Sequence, residues 1–261
     1  MTTAPDLHHL QLSPDLTIAY SEAGHGRPVL ILHGGGGPAT VAGIAMHLSA
    51  QTRALTPIHP GWNGTLRPAW FTGMDDLTLA YLQLLDALDL RDVLVVGSSI
   101  GGWLASELAV WDRAHRIGGL VLINAVGIQV EGEPIRDFFA LDARGVAESS
   151  YHDAARFYVD PASLTPEQLA GRAANMAALR TYAGDHMSDP KLRRRLARVQ
   201  VPTLVLWGES DRIVTPAYGR AYAEAFGNAH FTLIGQAGHL PQIERPEETL
   251  RLIDDFSASL G

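Results

Sequence analysis

Short runs of apolar, largely β-branched residues recur along this chain and alternate with longer amphipathic segments. The runs are Leu7–Leu12, Leu16–Ser21, Val29–Leu32, Ala54–Ile58, Val93–Val96, Leu120–Ile123, Leu204–Trp207 and Phe231–Ile234. A parallel neighbour can be reached only through a crossover, so this alternation is what a mostly parallel sheet covered by helices requires. The later runs have no polar face, as strands buried on both sides do not. The first two differ, because Ser13-Pro14-Asp15 is too short for a crossover and predicts an antiparallel hairpin at the sheet edge. The expected fold is α/β, with an eight-stranded, mostly parallel sheet flanked by helices. From about Gly127 to Gln200 the alternation stops, leaving helical pattern broken by Pro134, Pro161, Pro166 and Pro190. A helical cap inserted after strand six is the simplest account. It divides the chain into a core, residues 1–126 and 200–261, and a cap, residues 127–199.

Composition narrows the functional classes. A formal charge of −8 without a long basic run argues against nucleic acid as a partner, since phosphate binding rests on clustered positive charge. The short run Lys191, Arg193, Arg194, Arg195 reads as a solvated helix face. With no cysteine, disulfides and thiolate metal sites are both excluded. Met1–Ser13 has neither a basic nor an apolar signal region, so a cytoplasmic protein is expected. Asp92–Trp111 is apolar enough to raise a membrane span, but it carries Ser98, Ser99, Ser106 and Glu107 and changes pattern halfway. A strand followed by a helix, with no membrane partner, explains it better.

The chemistry concentrates in three places. Gly97-Ser98-Ser99-Ile100-Gly101 fits G-x-S-x-G between a strand and a helix whose expected apolar face is Ile100, Leu104, Leu108 and Trp111. Glycines flank Ser99 symmetrically, whereas the frame centred on Ser98 would need them at Val96 and Ile100; Ser99 is therefore the candidate nucleophile. His33 and four glycines, Gly34 to Gly37, follow the third run. A dinucleotide fingerprint fails there, because Pro38-Ala39-Thr40 breaks the G-x-G-x-x-G spacing. A loop offering backbone N–H to an oxyanion, together with the N–H of Ile100, fits better. A serine hydroxyl also needs a base and an orienting carboxylate. Of eleven histidines, His239 lies in a loop between the last strand and the last helix; His33 reads as structural, and His59, His152 and His186 as loop or helix residues without such geometry. Asp211 sits just beyond the carboxyl end of a strand, where sites of open α/β sheets gather. Glu209 competes with it, and capping of a helix near Pro216 is the alternative role for Asp211.

These residues resemble the α/β-hydrolase superfamily over nearly the whole chain. The order Ser99, Asp211, His239 is that superfamily's nucleophile, acid, histidine order, and His33-Gly34, Pro60-Gly61-Trp62-Asn63-Gly64 and Gly238-His239 match as well. The resemblance implies an oxyanion hole formed by the N–H groups of Gly35 and Ile100, and no cofactor or metal. Haloalkane dehalogenases and epoxide hydrolases use an aspartate nucleophile, so Ser99 argues against both. Some relatives carry the acid after strand six, near Asn124, which is not acidic. Meta-cleavage C–C bond hydrolases share the cap and the glycine loop but have Asn before the nucleophile and Trp after the histidine, where this chain has Ser98 and Leu240.

The expected function is a serine hydrolase cleaving a small, rather apolar carboxylic ester through an acyl-enzyme on Ser99. The alternatives are C–C hydrolysis of a vinylogous diketone with the same triad, and a ligand receptor with slow or no turnover. A small-molecule substrate is the expected partner, with room for a homo-oligomer. Trp62, Trp70, Trp103 and Phe138 are candidate pocket walls that compete with plain core roles.

Overall fold

The computed structural model describes residues 7–260. The signal-peptide reading and the start of the expected core fall partly on residues 1–6, outside the described residues. Eight strands form one sheet: β1 (Leu7–Ser13), β2 (Leu16–Ala23), β3 (Pro28–Leu32), β4 (Arg53–Ile58), β5 (Val93–Ser98), β6 (Ile117–Ile123), β7 (Thr203–Gly208) and β8 (Ala229–Ile234). Their spatial order is β1-β2-β4-β3-β5-β6-β7-β8. β1 pairs antiparallel with β2, and β2 with β4, while every later pair is parallel. The α/β expectation and the edge hairpin therefore stand.

The helices are α1 (Ala42–Leu48), α2 (Met74–Ala87), α3 (Ile100–Trp111), α4 (Ala143–Ser150), α5 (Ala154–Phe157), α6 (Pro166–Ala183), α7 (Leu192–Leu196), α8 (Pro216–Glu224), α9 (Pro241–Glu244) and α10 (Pro246–Ser259). Side chains along a strand alternate between faces, which explains why the central strands need apolar residues at every position. Leu30, Leu32, Val95, Leu122 and Val205 pack on the face of α2, α3 and α8. Val29, Ile31, Val96, Val121 and Leu206 pack on the face of α1 and α10. Each such side chain, fully removed from water, contributes about 1.5–3 kcal/mol.

One stripe corrects the sequence reading. α3 is buried on nearly all sides from Ile100 to Leu108, whereas Trp111 is 51% exposed. The helix lies centrally, between the sheet, α2 and α7, so it has no solvent face to set against an apolar one. Between β6 and β7 lie only helices and loops, with one isolated bridge joining Gly127 to Ser188. Two of the prolines there start helical turns: Pro161 opens a short 3-10 turn, and Pro166 is the first residue of α6 behind a Thr165/Gln168 capping box. Winding of the sheet reverses at β3, with β4 on one side and β5 on the other. That switch leaves a crevice beyond the carboxyl ends of β3 and β5.

Candidate active site

Both segments entering the crevice, after β3 and after β5, carry the motifs. The turn from β5 into α3 holds Ser99 at φ 56, ψ −117, a conformation that costs a non-glycine residue about 1–3 kcal/mol and lifts its side chain clear of the sheet. The surrounding backbone leaves no alternative. A Cβ at Gly97 would lie 2.2 Å from the Gly101 carbonyl oxygen, and one at Gly101 would lie 2.2 Å from that of Leu32. The Ser99 N–H donates to Ile123 O at 2.9 Å, and its carbonyl accepts from Gly102 and Trp103 as α3 begins. Ile100 opens that helix, so its N–H is among those without an intrahelical acceptor. The neighbouring Ser98 is buried, its Oγ accepting from Gln242 Nε2 at 3.2 Å.

The three predicted side chains meet. His239 Nε2 lies 2.9 Å from Ser99 Oγ, and its Nδ1 lies 2.8 Å from Asp211 Oδ2. A carboxylate only accepts, so Nδ1 carries the hydrogen and Nε2 is free to take the serine proton. The Asp211 side chain has no exposure, and its charge is met by several donors. Oδ1 accepts from Ile213 N at 2.8 Å and Val214 N at 3.2 Å. Oδ2 accepts from Asn124 Nδ2 at 2.6 Å besides His239. Asp211 does not cap α8, whose N-cap is Thr215, accepting from Tyr218 N. Glu209 turns away to Gln236 N, at 3.4 Å.

Gly34 and Gly35 stand opposite. A Cβ at Gly34 would come 3.2 Å from that of Ser99, and one at Gly35 would come 2.8 Å from Leu179 of α6. Glycine lets this loop sit between Ser99 and α6 without displacing Leu179 or crowding Ser99. Beside Ser99 opens a cavity of about 460 Å³ whose lining includes Gly34, Gly35, Ile100 and His239 on the sheet side. Opposite stand apolar groups from the segment between β6 and β7, among them Phe138, Leu141, Val146, Phe157 and Met176, with Arg172 as the one cation. Of the four expected aromatic walls only Phe138 lines it. Trp62 and Trp103 are buried in the core, and Trp70 is half exposed, bonded to Asp15.

Several residues at the site escaped the sequence reading. Asn124, noticed only as not acidic, bonds Asp211 and also accepts from Gly208 N at 3.2 Å. Glu244 of α9 accepts from Gly238 N at 2.6 Å and from the N–H groups of His152 and Asp153 at 2.9 and 3.2 Å. It ties the histidine loop to residues 152 and 153, while His239 N donates to Ser150 O at 2.6 Å. His59 lies in a loop but is buried, 1% exposed, with its ring tilted by 38° against that of His33 and the ring centroids 3.9 Å apart. Burial pushes the His33 imidazole down to about 4. Burial, and then the neighbouring His33, holds His59 well below the usual range.

Comparison with known proteins places this geometry among relatives. The model of the Alpha/beta hydrolase family matches residues 29–252. A 2-hydroxy-6-oxo-6-phenylhexa-2,4-dienoate hydrolase from Comamonas testosteroni is 29% identical, over 93% of this chain and 91% of its own. Among solved structures, a meta-cleavage product hydrolase from Pseudomonas fluorescens superposes with a TM-score of 0.76 at 21% identity, covering 94% of this chain and 95% of that one. A thermophilic esterase from Thermogutta terrifontis does so with a TM-score of 0.76 at 21% identity, covering 98% and 99%.

Proposed function

Because the chain belongs to the Alpha/beta hydrolase family, we propose that it is a serine hydrolase that cleaves a C–C bond next to a carbonyl in a dienoate-type acid, with Ser99 as nucleophile. The observation that carries the reading is the cavity, whose lining is mainly apolar and carries Arg172 as its one Arg or Lys, with Asp142 and Asn175 as the other charged or amide groups away from Ser99. Such a pocket suits an elongated, mainly apolar substrate with one anionic end. A small neutral ester would make no use of the guanidinium. The dienoate hydrolases related over nine-tenths of the chain point the same way.

In this reading His239 takes the Ser99 proton as Oγ attacks the carbonyl, and Asp211 stabilises the imidazolium that forms. The oxyanion lies against the N–H groups of Gly35 and Ile100. The substrate reacts as its keto tautomer, the 2-hydroxyl proton having moved to the carbon beside the scissile bond, so collapse breaks the C–C bond and leaves its electron pair in a dienolate conjugated to the 2-keto group, to which His239 returns the proton. Water then attacks the acyl-enzyme with His239 again as base, so the acyl fragment gains OH and the other gains H.

A second reading, hydrolysis of a carboxylic ester by the same steps, is favoured by Ser98 and Leu240, which stand where the C–C hydrolases carry Asn and Trp. A receptor role would suit a damaged triad, whereas here all three side chains are within hydrogen-bond distance. The test is turnover of a 2-hydroxy-6-oxo-dienoate and of aryl esters by wild type and Ser99→Ala, with fluorophosphonate labelling of both. Dienoate turnover that vanishes with Ser99 is expected. Ester turnover alone would transfer the proposal to the second reading, and undiminished labelling of Ser99→Ala would remove Ser99 from the mechanism.

A further inference from the structure

The glycine loop is held from behind by ring N–H groups, and we propose that His59, with Tyr81 behind it and Trp62 beside it, is a positioning residue that aims the oxyanion donors of this site. The inference rests on the reading of Ser99 as nucleophile. Three successive carbonyl oxygens of the loop each lie against a ring nitrogen. His59 Nε2 is 3.1 Å from His33 O, His33 Nδ1 is 2.7 Å from Gly34 O, and Trp62 Nε1 donates to Gly35 O at 2.9 Å.

A carbonyl oxygen only accepts, so each of those ring nitrogens carries its hydrogen, and the remaining nitrogens become acceptors. Both remaining positions are filled. His59 Nδ1 faces the Tyr81 hydroxyl at 2.6 Å, and His33 Nε2 accepts from His59 N at 3.1 Å. Every ring nitrogen of the pair thus has one defined role, and only the neutral rings can fill them all. The carbonyl oxygens of His33 and Gly34 fix both tautomers, with the Tyr81 hydroxyl donating to His59 Nδ1 and the His59 backbone N–H donating to His33 Nε2.

The consequence reaches the cavity. A trans peptide points its N–H opposite its C=O. Carbonyls of residues 33, 34 and 35 tied back to the rings therefore turn the N–H groups of Gly34, Gly35 and Gly36 the other way. Those three glycines line the cavity next to Ser99. The Gly34 carbonyl also accepts from Gly37 N at 3.0 Å, which closes the turn on itself. A run of glycines loses more conformational freedom on ordering than any other sequence, and oxyanion stabilisation depends on donors that need no reorganisation during reaction. The rings supply that order. They are themselves closely packed: Trp62 and Tyr81 are fully buried, Trp62 stacks on Tyr182 at 5.6 Å, and the Tyr182 hydroxyl donates to Pro60 O at 2.8 Å.

The test uses Trp62→Phe and Tyr81→Phe, which remove a polar group and keep an aromatic ring, with His59→Leu and its conservative counterpart His59→Gln. Each is assayed for kcat and KM on an aryl ester, affinity for a boronic acid that mimics the tetrahedral intermediate, affinity for a carboxylate product, and thermal midpoint. Roughly a tenfold fall in kcat with KM nearly unchanged is expected, inside the ceiling of about 10²–10³ for loss of a whole donor. Boronate affinity falls in parallel, product affinity does not, and His59→Gln recovers most of the loss because its amide still donates. Unchanged kcat and boronate affinity in folded Trp62→Phe and Tyr81→Phe would overturn the proposal, as would equal losses for boronate and product. If His59→Leu does not fold, the two Phe variants decide. Wild type that fails to react with fluorophosphonate at Ser99 would instead overturn the underlying assignment.

Discussion

Acidification should destabilise this protein through its buried histidines before the carboxylates begin to titrate. His33 is neutral in the fold down to about pH 4, because burial penalises its charged form, against an ordinary value of 6.5. Below 6.5 the unfolded chain therefore binds a proton that the folded chain refuses, and stability falls as pH drops from about 6.5 towards 4. For that single site the linkage amounts to about 2 kcal/mol between pH 7 and pH 5, and about 3 kcal/mol once pH is below 4. His59, lowered by burial and by His33, adds to the loss in the same direction. The groups around the pair are Tyr81, Tyr182 and Trp62, and burial raises the pKa values of both tyrosines, which stay neutral throughout. Against a total stability of about 5–15 kcal/mol the effect is large. With an m-value of about 3 kcal/mol/M it moves the urea midpoint by roughly 0.7 M. The assay is urea unfolding at pH 7 and pH 5 for wild type, His33→Asn and His59→Gln. Glu107, whose pKa burial raises, works in the opposite direction but is common to all three, so the difference between chains isolates the histidines. A shift of the same size in all three would refute the reasoning.

Three further outcomes follow from the site. Asn124→Ala removes a hydrogen bond to the buried Asp211 carboxylate and leaves Gly208 N without its acceptor; a loss of about 3 kcal/mol is expected from denaturant titration. Glu244→Ala frees the histidine loop from residues 152 and 153 and should lower kcat by up to about 10²-fold through misplacement of His239. Glu244→Gln, which keeps an accepting oxygen, should retain most of the rate in the same steady-state assay. Arg172→Ala should raise KM about tenfold for a dienoate, the size of one charged hydrogen bond, and leave KM for neutral aryl esters unchanged.

The central strands were legible because burial on two faces demands a short unbroken apolar run, repeated along the chain between longer helical segments. Ser99 was legible for a similar reason: its turn tolerates only Gly97 and Gly101 beside it, and that steric demand is written within five consecutive residues. The residues that support the site leave no such local mark. Asn124 acts on Asp211 from 87 positions away, and His59 on His33 from 26. Each is a single polar residue whose role exists only once β3, β4, β6 and β7 are side by side. Trp111 misled for the opposite reason, since a helical period reads the same for a half-buried helix as for one packed on nearly all sides.

In the proposed reading, the helical segment between β6 and β7 should bear on rate as well as on substrate choice. Its residues 148–153 do more than roof the cavity. Ser150 O accepts the His239 N–H, Ser149 O accepts the Arg212 N–H next to Asp211, and the N–H groups of His152 and Asp153 share Glu244 with Gly238. The loops carrying the acid and the histidine are therefore hydrogen-bonded to the element whose Val146 and Ala147 face the substrate cavity. A substitution that reshapes that wall moves the ends of these bonds too. Because a shift of about 1 Å in a reacting group can cost 10²-fold, changes in pocket shape here should alter kcat and KM together, in contrast to the kcat-only signature of the rings behind the glycine loop.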